Sequence, residues 1–414
     1  MSRRVVVTGI GLIAPGGIGH RAIWDNVRAG KESIRRVTRF DPTGYPCALA
    51  GEVDGFTPTD FMPLRLARKL DPYTQYAVAA SRLALEDGRL ELEKVDRERM
   101  GVFVGNCFGG WDFTDRELRK LHTEGVKEVS PFQATSWFPA APQGQISIHF
   151  GLRGFSKTVC GERASGHMSV ALAARSIADG LCDVSLAGGS EAPITPFTYL
   201  ACGTEGVLVG PDAPAAGAYL PFDAERQGLV PAEGGAFLLL EELTHALERQ
   251  APIYAEVLGF GLANDACHPA LLPPEERRLS VAMRKALEDA DLTPDAISYV
   301  LADGLATPEG DRQEAAALRK VFGGSSRRVP VTVPRSMTGH LYGAGGALDA
   351  GLAALSIQHA LVPPTVGTGT ADEALDVALV TEATPLERVE HVLLNGRGSG
   401  GLNASLIISR VARA

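Results

Sequence analysis

The sequence predicts an α/β chain with buried sheets. Short runs rich in Val, Ile and Leu alternate along the whole length with segments whose apolar residues recur every three and four positions. Its 414 residues, 45% of them apolar, are enough to bury a large core, either as two to three domains or as two large halves sharing one core. Glycine is over-represented, at 47 residues.

The elements follow in order. Arg4–Thr8 reads as a first strand and turn, because Thr8, Gly9 and Gly11 break an apolar run that could otherwise mimic a signal peptide, and no cleavage-like site follows. Helical spacing predicts Leu70–Glu86, Asp115–His122 and Ser165–Asp179, and continuous apolar runs predict strands at Gly101–Gly105, Ser156–Cys160, Asp183–Gly188 and Gly235–Leu240. An acidic helix at Glu241–Gln250 gives way to Pro252, and the alternation begins again. Strands are predicted at Ile253–Phe260, Ile297–Ala302, Val392–Asn395 and Asn403–Ile408, and helices at Pro274–Ala290, Asp311–Phe322 and Gly346–His359. The glycine exit at Val102–Gly105 has a counterpart at Tyr299–Gly304, which suggests an internal repeat with halves at residues 1–250 and 251–414.

A formal net charge of −9 without long single-sign blocks argues against a nucleic-acid partner. No apolar run approaches the ~18 residues of a membrane span. Cys47, Cys107, Cys160, Cys182, Cys202 and Cys267 form no Cys-x-x-Cys pair, and several sit in apolar runs, so a reduced, cytoplasmic setting is expected. The His residues carry no metal-like spacing.

Four ordered motifs are specific. They are the opening VVVTGIGLIAP, Ala187-Gly-Gly-Ser-Glu191 after an apolar strand, Pro221-Phe-Asp-Ala-Glu-Arg-Gln-Gly-Leu-Val-Pro-Ala-Glu-Gly-Gly235, and Thr338-Gly-His-Leu-Tyr-Gly-Ala-Gly-Gly346. Together they resemble the β-ketoacyl synthase family over essentially the whole chain. The resemblance implies a thiolase-like fold, two similar halves stacked as a five-layered αβαβα core with the active site between them.

It also implies where the reacting groups belong. In that family a Cys at the start of a buried helix takes the acyl chain, and two His promote decarboxylation of the extender. The nucleophile's position is Arg163 here, and an arginine has no lone pair with which to attack. The first His is replaced by Asp303 in Asp303-Gly-Leu-Ala-Thr-Pro-Glu-Gly-Asp311, the second is kept as His340, and the nearby Lys is matched by Arg335. The family's two Phe in the final turn are Arg397 and Ser399 in Asn395-Gly-Arg-Gly-Ser-Gly-Gly401. Two readings of Arg163 are open: an ion pair with Asp303 plugging the lost pocket, or a pair with adjacent Glu162 or a reach to the subunit interface, with Asp303 capping a turn. Some anion is required, because a cation at a helix start opposes the macrodipole. His340 is either a remnant that aids decarboxylation or a core His held by backbone bonds. Cys160 and Ser165 are poor substitute nucleophiles, and Gly188–Gly189 is expected at a tight strand exit.

An inactive synthase-like chain resembles the chain length factors, or ketosynthase β-subunits, of bacterial type II polyketide systems. Gly109-Gly-Trp-Asp-Phe-Thr-Asp-Arg-Glu-Leu-Arg-Lys-Leu121, Ser136-Trp-Phe138 and Gly144-Gln-Ile-Ser-Ile148 carry that likeness. By resemblance, Trp111, Thr114, Leu118 and Thr135 line the tunnel that receives the growing chain. The first three are spaced to share one helix face; ordinary core packing is the competing account. The implied role is a heterodimer with a catalytic ketosynthase, with the strand near Ser156–Cys160 as the joining edge and acyl carrier protein docking mainly on the partner. It requires neither metal nor diffusible cofactor. Two alternatives are a decarboxylase making starter units from malonyl carrier protein and a homodimeric acyl-binding scaffold.

Overall fold

The computed structural model describes residues 3–268, 278–323 and 329–412. The first strand, β1 (Val5–Ala14), runs past the turn expected after Thr8. Gly9 and Gly11 do not end it; they let it press on the next helix, for a Cβ would lie 2.1 Å from the Ala84 carbonyl at Gly9 and 1.9 Å from that of Ala80 at Gly11. That helix is α1 (Pro72–Asp87), capped by Asp71 with Pro at its first turn. There follow β2 (Met100–Gly105), α2 (Trp111–Thr123), α3 (Ala141–Phe150), β3 (Lys157–Val159), α4 (Ser165–Ala178), β4 (Val184–Glu191), α5 (Pro196–Gly203) and β5 (Gly234–Glu242). Gly188 and Gly189 lie inside β4 and not at its exit, because the Ala236 carbonyl and the Gly343 carbonyl approach too closely for a side chain.

The rest of the chain holds β6 (Ala255–Asn264), α6 (Leu279–Asp289), β7 (Tyr299–Leu301), α7 (Pro308–Phe322), β8 (Pro330–Thr332), α8 (Gly345–His359), β9 (Ala378–Leu379), β10 (His391–Gly398) and β11 (Leu402–Ser409). The helix start expected at Pro274 lies outside the described residues. α7 begins earlier than its apolar spacing indicated because Thr307 caps it, accepting the Gly310 amide at 3.1 Å.

Strand order repeats. One run reads β3-β2-β4-β5-β1 and the other β8-β7-β10-β11-β6, with β9 beyond β8. In each, the first two pairings are parallel and the next two antiparallel. The expected counterparts Val102–Gly105 and Tyr299–Gly304 fall on and just after β2 and β7, equivalent strands in the two runs. A short antiparallel contact, Val6 with Glu256 and Val7 with Ala255, joins them.

Alternation along the strands builds the layers. Val5, Val7, Ile10, Leu12, Leu238, Leu240, Leu394, Leu406 and Ile408 face a central core shared with α4 and α8. Phe237 and Leu239 point the other way onto α1, and Leu393 and Ile407 onto α6 and α7. The result is the five-layered, thiolase-like arrangement: outer helices, sheet, α4 with α8, sheet, outer helices. From Gly345 to Ile357 every residue of α8 is buried, as an almost wholly apolar helix requires. The central layer places the start of α4 against the turn before α8, where the candidate site lies.

Candidate active site

Arg163 sits in the single turn Glu162–Ala164 that leads into α4, only 4% exposed. Its Nη1 is 3.1 Å from Glu162 Oε1 and 3.2 Å from Glu205 Oε2, and its Nη2 donates to Ser399 Oγ at 3.3 Å. The anion that the helix start demands is therefore supplied twice. Burial would favour loss of the Arg163 proton, but Glu162, Glu205 and Asp303 hold its pKa above the usual arginine value.

Asp303 is 1% exposed and finds other partners. Its Oδ2 lies 3.3 Å from Arg397 Nε, its Oδ1 accepts the Arg397 amide at 3.2 Å, and Arg335 Nη1 is 3.5 Å from Oδ1. Burial pushes this carboxyl up, yet Arg397, Arg335 and Arg163 outweigh it and hold it below the ordinary value. The direct Arg163–Asp303 pair is not made. Compensation runs crosswise through the final turn: Arg397 neutralises Asp303, and Ser399 binds Arg163 while its own amide donates to Glu162 Oε2 at 2.9 Å. Arg397 and Ser399 thus hold Asp303 and Arg163, the four positions at which the sequence departs from the expected motifs.

His340 is fully buried. Its Nδ1 accepts the Tyr342 amide at 2.9 Å, its own amide donates to the Val230 carbonyl at 2.8 Å, and its carbonyl accepts from Ala232 at 2.9 Å. With Nδ1 an acceptor, the neutral ring carries its proton on Nε2. Arg335 Nη1 lies 3.0 Å from that nitrogen. Burial first, then the Arg335, Arg163 and His167 side chains, drives the His340 pKa well below the usual value. Arg335 is itself fixed by Asp349 on α8, whose carboxyl burial pushes up to about 6. Arg335 Nη1 and His340 Nε2 are both donors, so their contact is no hydrogen bond; the guanidinium instead stands in the line along which Nε2–H would reach a substrate carbonyl.

Two protein-family models cover most of the chain: the β-ketoacyl synthase N-terminal domain over residues 2–246 and the β-ketoacyl synthase C-terminal domain over residues 254–368. The chain belongs to the β-ketoacyl synthase family. It is 42% identical over 407 residues, 98% of each chain, to the tetracenomycin polyketide synthase ketoacyl synthase beta subunit of Streptomyces glaucescens. It is also 34% identical to 3-oxoacyl-[acyl-carrier-protein] synthase 2 of Coxiella burnetii, over 99% of both chains. Among solved structures it superposes on the ishigamide ketosynthase/chain length factor with a TM-score of 0.91 and 32% identity, covering 100% of both chains.

In this synthase-family chain Ser165 is structural, its hydroxyl donating to the Glu162 carbonyl at 2.6 Å and accepting the Gly161 amide at 2.8 Å. Cys160 is exposed beyond the end of β3, and all six cysteines are free thiols. Among the described residues no group of metal-ligating side chains forms, and no helix is long and apolar enough to cross a membrane.

Trp111, Thr114 and Leu118 do fall on one helix, which starts at Trp111 and not at Asp115. The indole stacks on Phe197 at 4.3 Å. Thr114 is buried, bonded through Oγ1 to the Gly110 carbonyl at 2.7 Å, while Leu118 and Thr135 are exposed.

Sequence reasoning missed Glu205, Asp349, Glu314 and His167. Glu314 accepts the Asp303 and Gly304 amides at 3.0 and 2.9 Å, holding the Asp303 loop in place. His167 is buried on α4 with no partner for either ring nitrogen. A sole acidic residue in an apolar fifteen-residue helix was a legible sign of Asp349; nothing in the sequence links Glu205 to Arg163.

Proposed function

We propose that this chain is the non-catalytic chain length factor of a type II polyketide synthase, a ketosynthase-like subunit that pairs with a catalytic β-ketoacyl synthase and shapes the tunnel for the growing chain. The observation that carries the reading is Arg163, buried at the nucleophile's position and spoken for by Glu162, Glu205 and Ser399. No acyl-enzyme can form there. The halves are taken as residues 1–250 and 251–414, and the cytoplasm as the compartment, in keeping with six free thiols.

Surface chemistry supports a partner. Among the described residues, all exposed large apolar side chains except Leu64 and Leu247 lie between Leu118 and Leu200, including Phe132, Trp137, Phe138, Ile148 and Phe155. Exposed apolar side chains in this number are surface that a partner would cover. β3 ends the sheet path, so its outer edge is open to a strand from another subunit. Acyl carrier protein docks mainly on the ketosynthase, which holds the nucleophile. Trp111, Thr114, Leu118 and Thr135 belong to the tunnel wall in this reading.

Native mass spectrometry of the chain co-expressed with an intact ketosynthase from the same gene neighbourhood tests it. A one-to-one heterodimer in preference to either homodimer is the expected result. Homodimers that ignore the ketosynthase would support an acyl-binding scaffold instead. A decarboxylase of malonyl carrier protein finds no support in a His340 faced by Arg335.

A further inference from the structure

The tunnel helix is capped from outside itself. α2 starts behind Gly110, which has no side chain to offer the free amides of the first turn. Asp71, the cap of α1, fills that role. Its Oδ1 accepts the Tyr73 amide at 3.1 Å and its Oδ2 the Phe113 amide at 2.8 Å. The side chain is fully buried, and each carboxylate oxygen serves a different helix. The segment after α2 hangs from the same stretch: Ser136 Oγ donates to the Lys69 carbonyl at 2.9 Å and the Tyr73 hydroxyl to the Phe138 carbonyl at 2.7 Å. Trp111 lies two residues before Phe113, in the turn so held.

We propose that Asp71 is a positioning residue for product length: by binding the Tyr73 and Phe113 amides together it fixes the first turn of α2, and with it the Trp111 indole at the tunnel wall. This rests on the chain length factor reading. Only a carboxylate suits the place, because an asparagine has one acceptor oxygen and would turn an N–H donor toward the second amide. A protonated carboxyl suffers the same handicap. Burial raises the Asp71 carboxyl to about 7 against the two amide bonds; Asp112 on α2 raises it further, Arg116 on α2 lowers it, and Tyr73 faces it from α1.

The test compares Asp71→Asn, Trp111→Ala and the double variant in the heterodimer, reading the product length distribution by mass spectrometry and hydrogen exchange at the start of α2. Asp71→Asn is expected to leave the heterodimer assembled, speed exchange at the Phe113 amide and shift products toward longer chains. Added to Trp111→Ala it should shift them no further. A shift with Trp111→Ala and none with Asp71→Asn overturns the Asp71 role alone, as does a full further shift in the double variant. No shift with either variant overturns the tunnel reading beneath it. Should Asp71→Asn fail to assemble, the wild-type heterodimer decides: products lengthening from mildly alkaline to mildly acidic buffer, with a flat profile in Trp111→Ala, is the expected pattern. A flat wild-type profile overturns the proposal.

Discussion

Arg335 holds Nη1 3.0 Å from Nε2 of His340, so a guanidinium faces the ring nitrogen that the Tyr342 amide leaves protonated. The histidine expected to be the family's retained reacting group is thereby obstructed by a neighbour. The same guanidinium is the counter-ion of Asp349 and Asp303.

Arg335→Ala should therefore cost far more than a contact. It strands the buried Asp349 carboxylate, while Asp303 keeps Arg397, and removing one member of a buried ion network typically costs ~3–5 kcal/mol. Chemical denaturation of the purified chain measures this. A loss of under ~1 kcal/mol would show that the cluster is solvated.

Arg163→Cys should not yield a condensing enzyme. The thiol would meet the Glu162 carboxylate, Asp303 cannot replace a His, and His340 remains faced by Arg335. Incubation with acyl and malonyl carrier proteins, read by mass spectrometry, should give no condensed product, and the melting temperature should fall because Glu162 loses its cation.

Trp111→Ala should lengthen the products of the heterodimer, since it removes the bulkiest side chain of the proposed tunnel wall. Stability should change less. The stacking on Phe197 is worth ~0.5–1.5 kcal/mol beyond burial. An unchanged length distribution would remove Trp111 from the tunnel wall.

His167→Leu should stabilise the chain by ~1–3 kcal/mol, because both ring nitrogens are buried without a partner. It should also flatten the acid limb of stability. Burial first and Arg335 second lower the His167 pKa to about 3, against 6.5 unfolded. The unfolded state thus binds the extra proton between those values. Wild-type stability from this group is complete above pH 6.5 and declines toward pH 3, by ~1.4 kcal/mol per pH unit. Buried Asp71, Asp311 and Glu191, raised to about 7, 7 and 8, act in the opposite sense, so the difference between variant and wild type carries the prediction.

Much of the fold was legible because period and burial agree along each element. α8 announces itself as a central helix by its apolar residues on every side, and β5 by its unbroken Phe237–Leu240 run. The reach of β1 was not legible: Gly9 and Gly11 look like a break until the Ala80 and Ala84 carbonyls are seen against them. The identities at 163, 303, 335, 340, 397 and 399 were all readable in order, yet their pairing was not. Arg163 and Ser399 stand 236 residues apart.

What the sequence by itself determined is that position 163 carries no acyl nucleophile, for an arginine cannot attack a thioester in any conformation. What only the tertiary structure decided is how the lost groups are neutralised. Charge compensation depends on ångström-scale proximity in a low-dielectric interior, and it is the stacking of α4 against α8, with the β10–β11 turn folded back over them, that brings Glu162, Ser399, Arg397 and Asp349 to their partners.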